Sequence, residues 1–398
     1  MQKKMIAAAV AGALALPVTA IAQTSTVQIY GKITYEYGVA DQGTGRSNVD
    51  FADTPGGSAI GFRGEEKLGG GLSAWFQCES SADIRGFDQV GFCSRNSAVG
   101  FKGGFGNVFF GRWDTPLKRA MNVGTVGAEE TGILGMSFLA FGGSGGSQAS
   151  IGSGGEGQQR QRFKRREAGL VYYETPNFGG FTGMAAFSSA QTPADLPTVS
   201  GTTNDKPRVL SIAGTYTAGP LGIGIGYEKH DEFGAQGAPT DLDDHGFGIS
   251  AAYTWGPVKI GATWLRREFD TAPGRELRAD TATFGVDWAI AGPHSLQAQY
   301  TWAGDSKGNS LVGIGGNGGA SASRAIVGGT EVSVSGTGAD ALSIAYSYAF
   351  SKRTRVKFGY VRYDNESNTA RTRVGNTAAL LGAGQNVDAW AAHISHAF

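Results

Sequence analysis

The sequence predicts an all-β fold, a transmembrane antiparallel β-barrel of about sixteen strands, and three observations carry that prediction. Apolar residues alternate with small or polar ones over segments of about ten residues along most of the chain, which is the period of a strand with one greasy and one polar face. The connections between these segments are alternately very short and long, so that short and long links gather at opposite ends of the sheet, as they do in barrels of an outer membrane. Glycine is the compositional outlier, 65 of 398 residues or about 16% against a typical roughly 7%, beside 22 Phe, 13 Tyr and 7 Trp. So many aromatics argue against disorder, and the absence of a period-three glycine repeat excludes a collagen-like helix.

The elements follow in chain order. Met1-Gln-Lys-Lys gives a positive start, Met5 to Leu16 is almost unbroken apolar sequence, and Pro17 precedes Ala20-Ile21-Ala22. This order of charge, run and small-residue site reads as a cleaved secretory signal peptide over 1–22, leaving 23–398 as one domain; the run is too short to span a bilayer as a helix. Strands are expected near 26–40, 58–67, 72–80, 94–102, 106–113, 166–175, 181–189, 207–218, 221–230, 245–255, 258–269, 279–290, 294–303, 340–350, 353–364 and 387–398. The first places Val27, Ile29, Ile33, Tyr35 and Tyr37 opposite Gln28, Lys32, Thr34 and Glu36. "LGIGIGYEKH" sets Leu221, Ile223, Ile225 and Tyr227 against Gly222, Gly224, Gly226 and Glu228, and "VKFGYVRY" turns Val356, Phe358 and Tyr360 away from Arg355, Lys357 and Gly359. The short links include Gly69-Gly70-Gly71, Gly103-Gly104-Phe105-Gly106, Ala218-Gly219-Pro220, Gly256-Pro257 and Ala291-Gly292-Pro293. The final "WAAHISHAF" is itself strand-like, with Trp390, Ala392 and Ile394 in step with Phe398, and is expected to close the barrel against the first strand. Sixteen strands enclose an aqueous channel, and the inward glycines and small polar residues are expected to line water and leave room.

Cys78 and Cys93 lack redox or metal spacing and flank one loop between strands, which leaves a single disulfide formed after export and two free thiols both open. The chain carries 34 basic and 34 acidic residues; removal of Lys3 and Lys4 leaves 32 against 34, a net charge of −2, with no nucleic-acid footprint. "GIGIGY" at 222–227 has no following helix and is not a nucleotide loop, and no cofactor motif is present. The basic run "RQRFKRREAG", Arg160 to Gly169, is read as vestibule decoration or a contact for lipopolysaccharide phosphates.

The blocks "VQIYGKITYEYG", "GFRGEEKLGGGLSAWFQCES", "FKGGFGNVFFGRWDTP", "YYETPNFGGF" and "HISHAF" resemble, over essentially the whole mature chain, the general porins of Gram-negative bacteria, in particular the trimeric sixteen-stranded porins of β-proteobacteria. The resemblance implies a homotrimer in the outer membrane, in contact with its lipid and lipopolysaccharide. It also implies that Phe398 acts as the signal by which the assembly machinery reads the C-terminal strand, and that a long third loop, here 114–165, folds into the lumen and narrows it. Glu129 and Glu130 lie on the first half of that loop. Strand parity turns Lys32, Arg63, Arg355 and Lys357 toward the lumen, whereas Arg112 shares the parity of Phe110 and is placed at the constriction by the resemblance alone.

The function expected is passive diffusion of small hydrophilic solutes and ions through a water-filled channel, without cofactor. Distant charges are screened beyond about 8 Å at physiological ionic strength, so the basic excess at the constriction should outweigh the acidic remainder and favour anions modestly. The alternatives are a substrate-selective channel, a barrel enzyme or an adhesin; against an enzyme, none of His230, His245, His294, His393 and His396 sits in a serine or metal motif. Deletion of Phe398 is expected to lower outer-membrane yield in cells more than refolding yield in detergent. Equal losses would restrict this side chain to packing.

Overall fold

The computed structural model of the chain describes residues 27–41, 49–53, 58–85, 91–127, 163, 165–189, 208–231, 243–309, 335–367 and 384–398. The expected signal peptide, Glu129, Glu130 and most of the third loop lie outside these residues.

The strands are β1 (Gln28–Asp41), β2 (Val49–Asp53), β3 (Ala59–Gly69), β4 (Leu72–Ser81), β5 (Ser97–Gly103), β6 (Gly106–Asp114), β7 (Arg166–Glu174), β8 (Phe181–Ser188), β9 (Arg208–Ala218), β10 (Leu221–Asp231), β11 (Asp244–Trp255), β12 (Val258–Ala272), β13 (Arg275–Ala291), β14 (His294–Ala303), β15 (Lys307–Gly308), β16 (Ala339–Ala349), β17 (Thr354–Asn365) and β18 (Val387–Ala397). Each of the sixteen expected strands is present within a few residues of its expected bounds. The two additions, β2 and β15, are short pieces paired to the ends of β1 and β13, so the wall itself is a closed barrel of sixteen antiparallel strands.

Closure is made by β1 and β18, in register from Lys32↔Ala397 to Asp41↔Asp388. Gly31 and Phe398 exchange backbone hydrogen bonds of 3.2 and 3.0 Å, and the Phe398 ring covers the bare α-carbon of Gly31, so no side chain could replace it without displacing the ring. The closed sheet thus has no edge strand, the condition for crossing lipid.

The alternation read from the sequence appears as two faces. Ile223, Ile225, Ile249, Phe284, Tyr300, Trp302, Phe358, Trp390 and Ile394 are exposed on the outside, whereas Thr34, Ser211, Thr263, Thr283, Gln299 and Ser347 are buried on the inside. Such an inversion, greasy outside and polar inside, is the arrangement lipid selects. At one end the turns are short and built on glycines with positive φ, Gly219 (54°), Gly256 (55°) and Gly292 (53°) among them, where a β-carbon would be strained.

Cys78 and Cys93 form a disulfide with a Cα–Cα distance of 4.8 Å across a sequence separation of 15, resolving the alternative that the sequence left open. It closes the connection between β4 and β5, which Arg95 also secures through its 2.7 Å ion pair with Glu79. Thiol titration of protein unfolded without reductant should find no free thiol. Cys78→Ser with Cys93→Ser should destabilise the barrel by up to about 3 kcal/mol, the loop-closure estimate for a loop of this size, as read by denaturant unfolding in detergent.

Candidate functional site

The third loop leaves the wall at the end of β6 and enters the barrel as a helix, α1 (Pro116–Asn122). Its start is written locally. Thr115 is the N-cap and accepts from the Lys118 N–H at 3.4 Å, and Pro116 stands at the first turn, where its missing N–H is not needed. This Thr-Pro pair was the available signal for a helix that strand-by-strand reading passed over.

The helix lies against the inner wall of β9, β10 and β11, and the chain continues along the wall to Gly127. The wall accepts it because its inward positions are glycine. A β-carbon on Gly224 would sit 2.2 Å from the Ala120 carbonyl oxygen, one on Gly261 2.5 Å from that of Gly124, and one on Gly285 1.6 Å from that of Val126. Gly248 receives the Met121 sulfur and Gly246 the Phe163 ring. The expectation that these glycines line water is therefore corrected: on β10 to β13 they are a track for the loop backbone. Hydrogen bonds lock the fit, with Ser250 Oγ donating to Ala120 O (2.6 Å), Gln299 Nε2 to Val126 O (3.2 Å) and the Leu117 N–H to Ser211 Oγ (3.1 Å). Leu117, Ala120 and Met121 then form a hydrophobic core inside the barrel with Phe163, Leu265, Phe269 and Leu277.

Charges fasten both ends of the described loop. Arg119 reaches from the helix to Glu174 on β7 in a two-pronged pair of 2.6 and 3.2 Å and touches the Tyr172 hydroxyl at 3.2 Å. Burial works against the Arg119 cation, yet its bonds to Glu174 and Tyr172 outweigh burial and raise its pKa above the ordinary value. At the root, the Thr115 N–H donates to Arg165 O (3.1 Å), Lys118 and Arg166 pair with Asp114 at 3.0 and 3.2 Å, and Arg165 pairs with Glu167. Arg165 and Arg166, read from the sequence as vestibule charges, instead join the two arms of the loop.

The arc opposite the helix carries the basic side chains. Lys32, Arg63, Arg355 and Lys357 all stand on the inward parity of β1, β3 and β17, which neighbour one another through β18. Arg63 donates to Gln28 Oε1 (2.9 Å) and lies over the Tyr30 ring (4.9 Å); among the described residues no carboxylate neutralises it. Arg355 is exposed, whereas Lys357 is buried in register with His393, whose Nδ1 is 3.8 Å from Glu36 Oε2. Nearby acids are shared out: Glu65 is held by Lys67 and Lys102, and Glu79 by Arg95 and the Tyr30 hydroxyl (3.1 Å). Arg112 stands apart. It pairs with Ser97 one step from Phe110↔Val99, on the opposite parity to Phe109 and Trp113, which pack inward with Trp75. Parity therefore keeps it on the outer face, as the sequence alone suggested. Among the described residues no cluster of His, Cys, Asp and Glu could hold a metal ion.

A family model described as Gram-negative porin matches residues 7–368. The chain is 34% identical over 197 residues to a major outer membrane protein P.IB of Neisseria gonorrhoeae (47% of this chain, 48% of that one), and 41% identical over 129 residues to one of Neisseria meningitidis serogroup B (30% and 35%). It spans about half the length, or less, of these curated relatives. Among solved structures, an anion-selective porin from Comamonas acidovorans aligns with a TM-score of 0.71 at 22% identity, over 94% of this chain and 100% of that one. The trimer form of OmpT from Vibrio cholerae aligns at 0.60 with 16% identity, over 94% and 100%. At such identities the likeness is one of fold.

Gly285→Val should push the loop off its track while the barrel still forms, because the obstructing atom is backbone; overpacking of this kind costs about 1–3 kcal/mol. Single-channel conductance is expected to change for this variant. It should stay at the wild-type value for Gly104→Ala, whose β-carbon would meet nothing within 4 Å.

Proposed function

The chain belongs to the Gram-negative porin family, and from that membership we propose that it is a passive, water-filled channel of the outer membrane, admitting small hydrophilic solutes and ions with a modest preference for anions. The observation that carries the proposal is a closed sixteen-stranded barrel with polar residues inside and, among the described residues, a loop helix packed against the arc of β9 to β11. On the remaining arc Arg63 and Arg355 are exposed and the Lys67 and Lys102 side chains retain 59% and 44% of their accessible surface, whereas Lys357, His393 and Glu36 are buried. Water therefore reaches the interior.

The anion preference rests on which charges are neutralised. Glu65 and Glu79 are each bonded to basic partners, while Arg63 meets only an amide and an aromatic face among the described residues. A positive wall in a narrow passage raises local anion concentration, and added salt screens it. Arg355, exposed on the same arc, supports this reading, as does the Comamonas porin of the same fold, named as anion-selective. Glu129 and Glu130, which lie outside the described residues, are proposed as the acidic counterpart on the loop, giving a transverse field that orients polar solutes. A homotrimer is proposed from family membership and the trimer form of the Vibrio protein.

Planar-bilayer recording tests the reading. Folded, inserted protein should give discrete conductance steps, and absence of steps would refute the channel. Reversal potentials across a salt gradient should report anion preference that declines as salt rises. Arg63→Glu with Arg355→Glu should shift it toward cations without loss of the folded barrel; a cation-preferring wild type would overturn the assignment of the basic arc.

A further inference from the structure

Between β3 and β7 the inner wall carries a feature that a plain water-filled passage does not call for, a tryptophan platform beside surplus positive charge. Trp75 on β4 and Phe109 and Trp113 on β6 turn inward, and their rings meet edge to face at centroid distances of 5.3, 5.8 and 5.2 Å. Phe109 is buried and stacks on Tyr172 at 4.5 Å, so it serves as backing. Trp75 and Trp113 are only half-buried, and the Trp75 indole is fixed by donating from Nε1 to Asn107 Oδ1 at 2.8 Å. A ring held at its polar edge and packed against its neighbours offers its remaining surface to the lumen in one orientation.

The charge lies one row away. Glu65 on β3 is in register with Trp75, and Lys67 on β3 and Lys102 on β5 are both in register with Ser73, the next inward residue of β4. Both lysines pair with the one Glu65 carboxylate, and Lys67 also donates to Ser73 Oγ at 3.1 Å. An ammonium group has three donors; among the described residues Lys102 uses one and Lys67 two, which leaves three for a solute. The other acids of these strands are committed or face away. Glu174 on β7 takes the two-pronged bond from Arg119, Glu79 on β4 pairs with Arg95, Asp114 at the end of β6 pairs with Lys118 and Arg166, and Glu66 has the outward parity. Two lysines against one carboxylate therefore leave a surplus of one positive charge beside Trp75, and Arg63, on the next inward row of β3, adds to it.

We infer that this wall is a binding subsite for aromatic carboxylates, the solute's ring lying against Trp75 and its carboxylate taken by the Lys67 and Lys102 ammonium groups. The inference rests on the channel reading above and deepens it. A flat ring gains more from an indole than its buried area alone provides, and a carboxylate makes charge-assisted bonds with ammonium donors already held in place. Glu65 acts as a positioning residue, because it holds both lysines at the wall while cancelling only one of their charges. A small anion uses the lysines alone. Solutes of equal charge are thus distinguished by whether they carry a ring.

The test is single-channel recording of the full-length protein in potassium chloride, with benzoate, acetate and cyclohexanecarboxylate added in turn at equal concentration, pH and ionic strength. Benzoate should depress the ionic current saturably at concentrations where acetate does not. Cyclohexanecarboxylate, alike in charge and size but without a flat ring, should block about two- to tenfold more weakly than benzoate, the range of one aromatic contact. Trp75→Leu should weaken benzoate block by a similar factor and leave the response to acetate as in wild type, and Trp75→Phe should restore part of the loss. Lys102→Gln leaves Lys67 and Glu65 mutually neutral, so it should weaken benzoate and cyclohexanecarboxylate alike. If Trp75→Leu gives no folded barrel, Lys102→Gln and the comparison of the three probes carry the test. Equal block by benzoate and acetate, equal block by benzoate and cyclohexanecarboxylate, or benzoate block undiminished in a folded variant would overturn the inference while leaving the channel reading intact. Absence of conductance in wild type would instead strike the channel reading itself.

Discussion

The rest of the structure depends on one close approach, that of the third-loop backbone to a wall without side chains. From Leu117 to Gly127 the chain lies on Gly224, Gly226, Gly248, Gly261 and Gly285, at distances a β-carbon would obstruct. A barrel of sixteen strands encloses more space than its own side chains can fill. The glycine track settles where the described part of the loop lies: the arc of β9 to β13 is covered by a packed helix and the chain that follows it, with a hydrophobic core of their own. The glycine excess in the composition is thus partly turn chemistry, at the positive-φ positions of the short links, and partly a docking surface.

A loop seated in this way needs fixed ends, and both ends are ionic. From the helix Arg119 bridges to Glu174; at the root Arg166 crosses to Asp114 and the Thr115 N–H to Arg165 O, while Lys118 pairs with Asp114 and Arg165 with Glu167 within their own arms. The Arg119–Glu174 pair is partly exposed and the root pairs are buried or nearly so; several acting on one short segment specify its position. The interior also lowers the dielectric around the root, so the same groups that place the loop become sensitive to the loss of any one charge.

The basic arc follows from the same division. The helix covers β9 to β11, and the inward face of β17, β18, β1 and β3 on the opposite side carries Lys32, Arg63, Arg355 and Lys357, of which Arg63 and Arg355 are exposed and Lys357 is buried beside the core cluster of Val361, Tyr363 and Val387. Aromatic–glycine contacts recur along its outer seam, where Phe398 covers Gly31 and Phe76 covers Gly64. Small residues there let large rings lie flat on the wall and leave the sheet its hydrogen bonds.

Strand positions, the side each residue faces and the antiparallel closure were legible in the sequence, because a period of two is a local property and lipid admits few alternatives to a closed sheet. The parity of Lys32, Arg63, Arg355 and Lys357 came with it, as did that of Arg112 on the outer face. What the inward glycines face was not legible: strand parity turns Gly285 inward, and only its contact with Val126, 159 positions away, shows that it carries the loop backbone. The disulfide between Cys78 and Cys93 and the pairing of Arg165 with Glu167 were likewise decided in three dimensions. So was the meeting of Glu228, His230 and Phe163, since parity says which wall a side chain leaves and nothing about what crosses the lumen to meet it. The sequence by itself determined the barrel; the tertiary structure alone decided how its interior is shared between loop and water, because that depends on contacts between residues far apart in the chain.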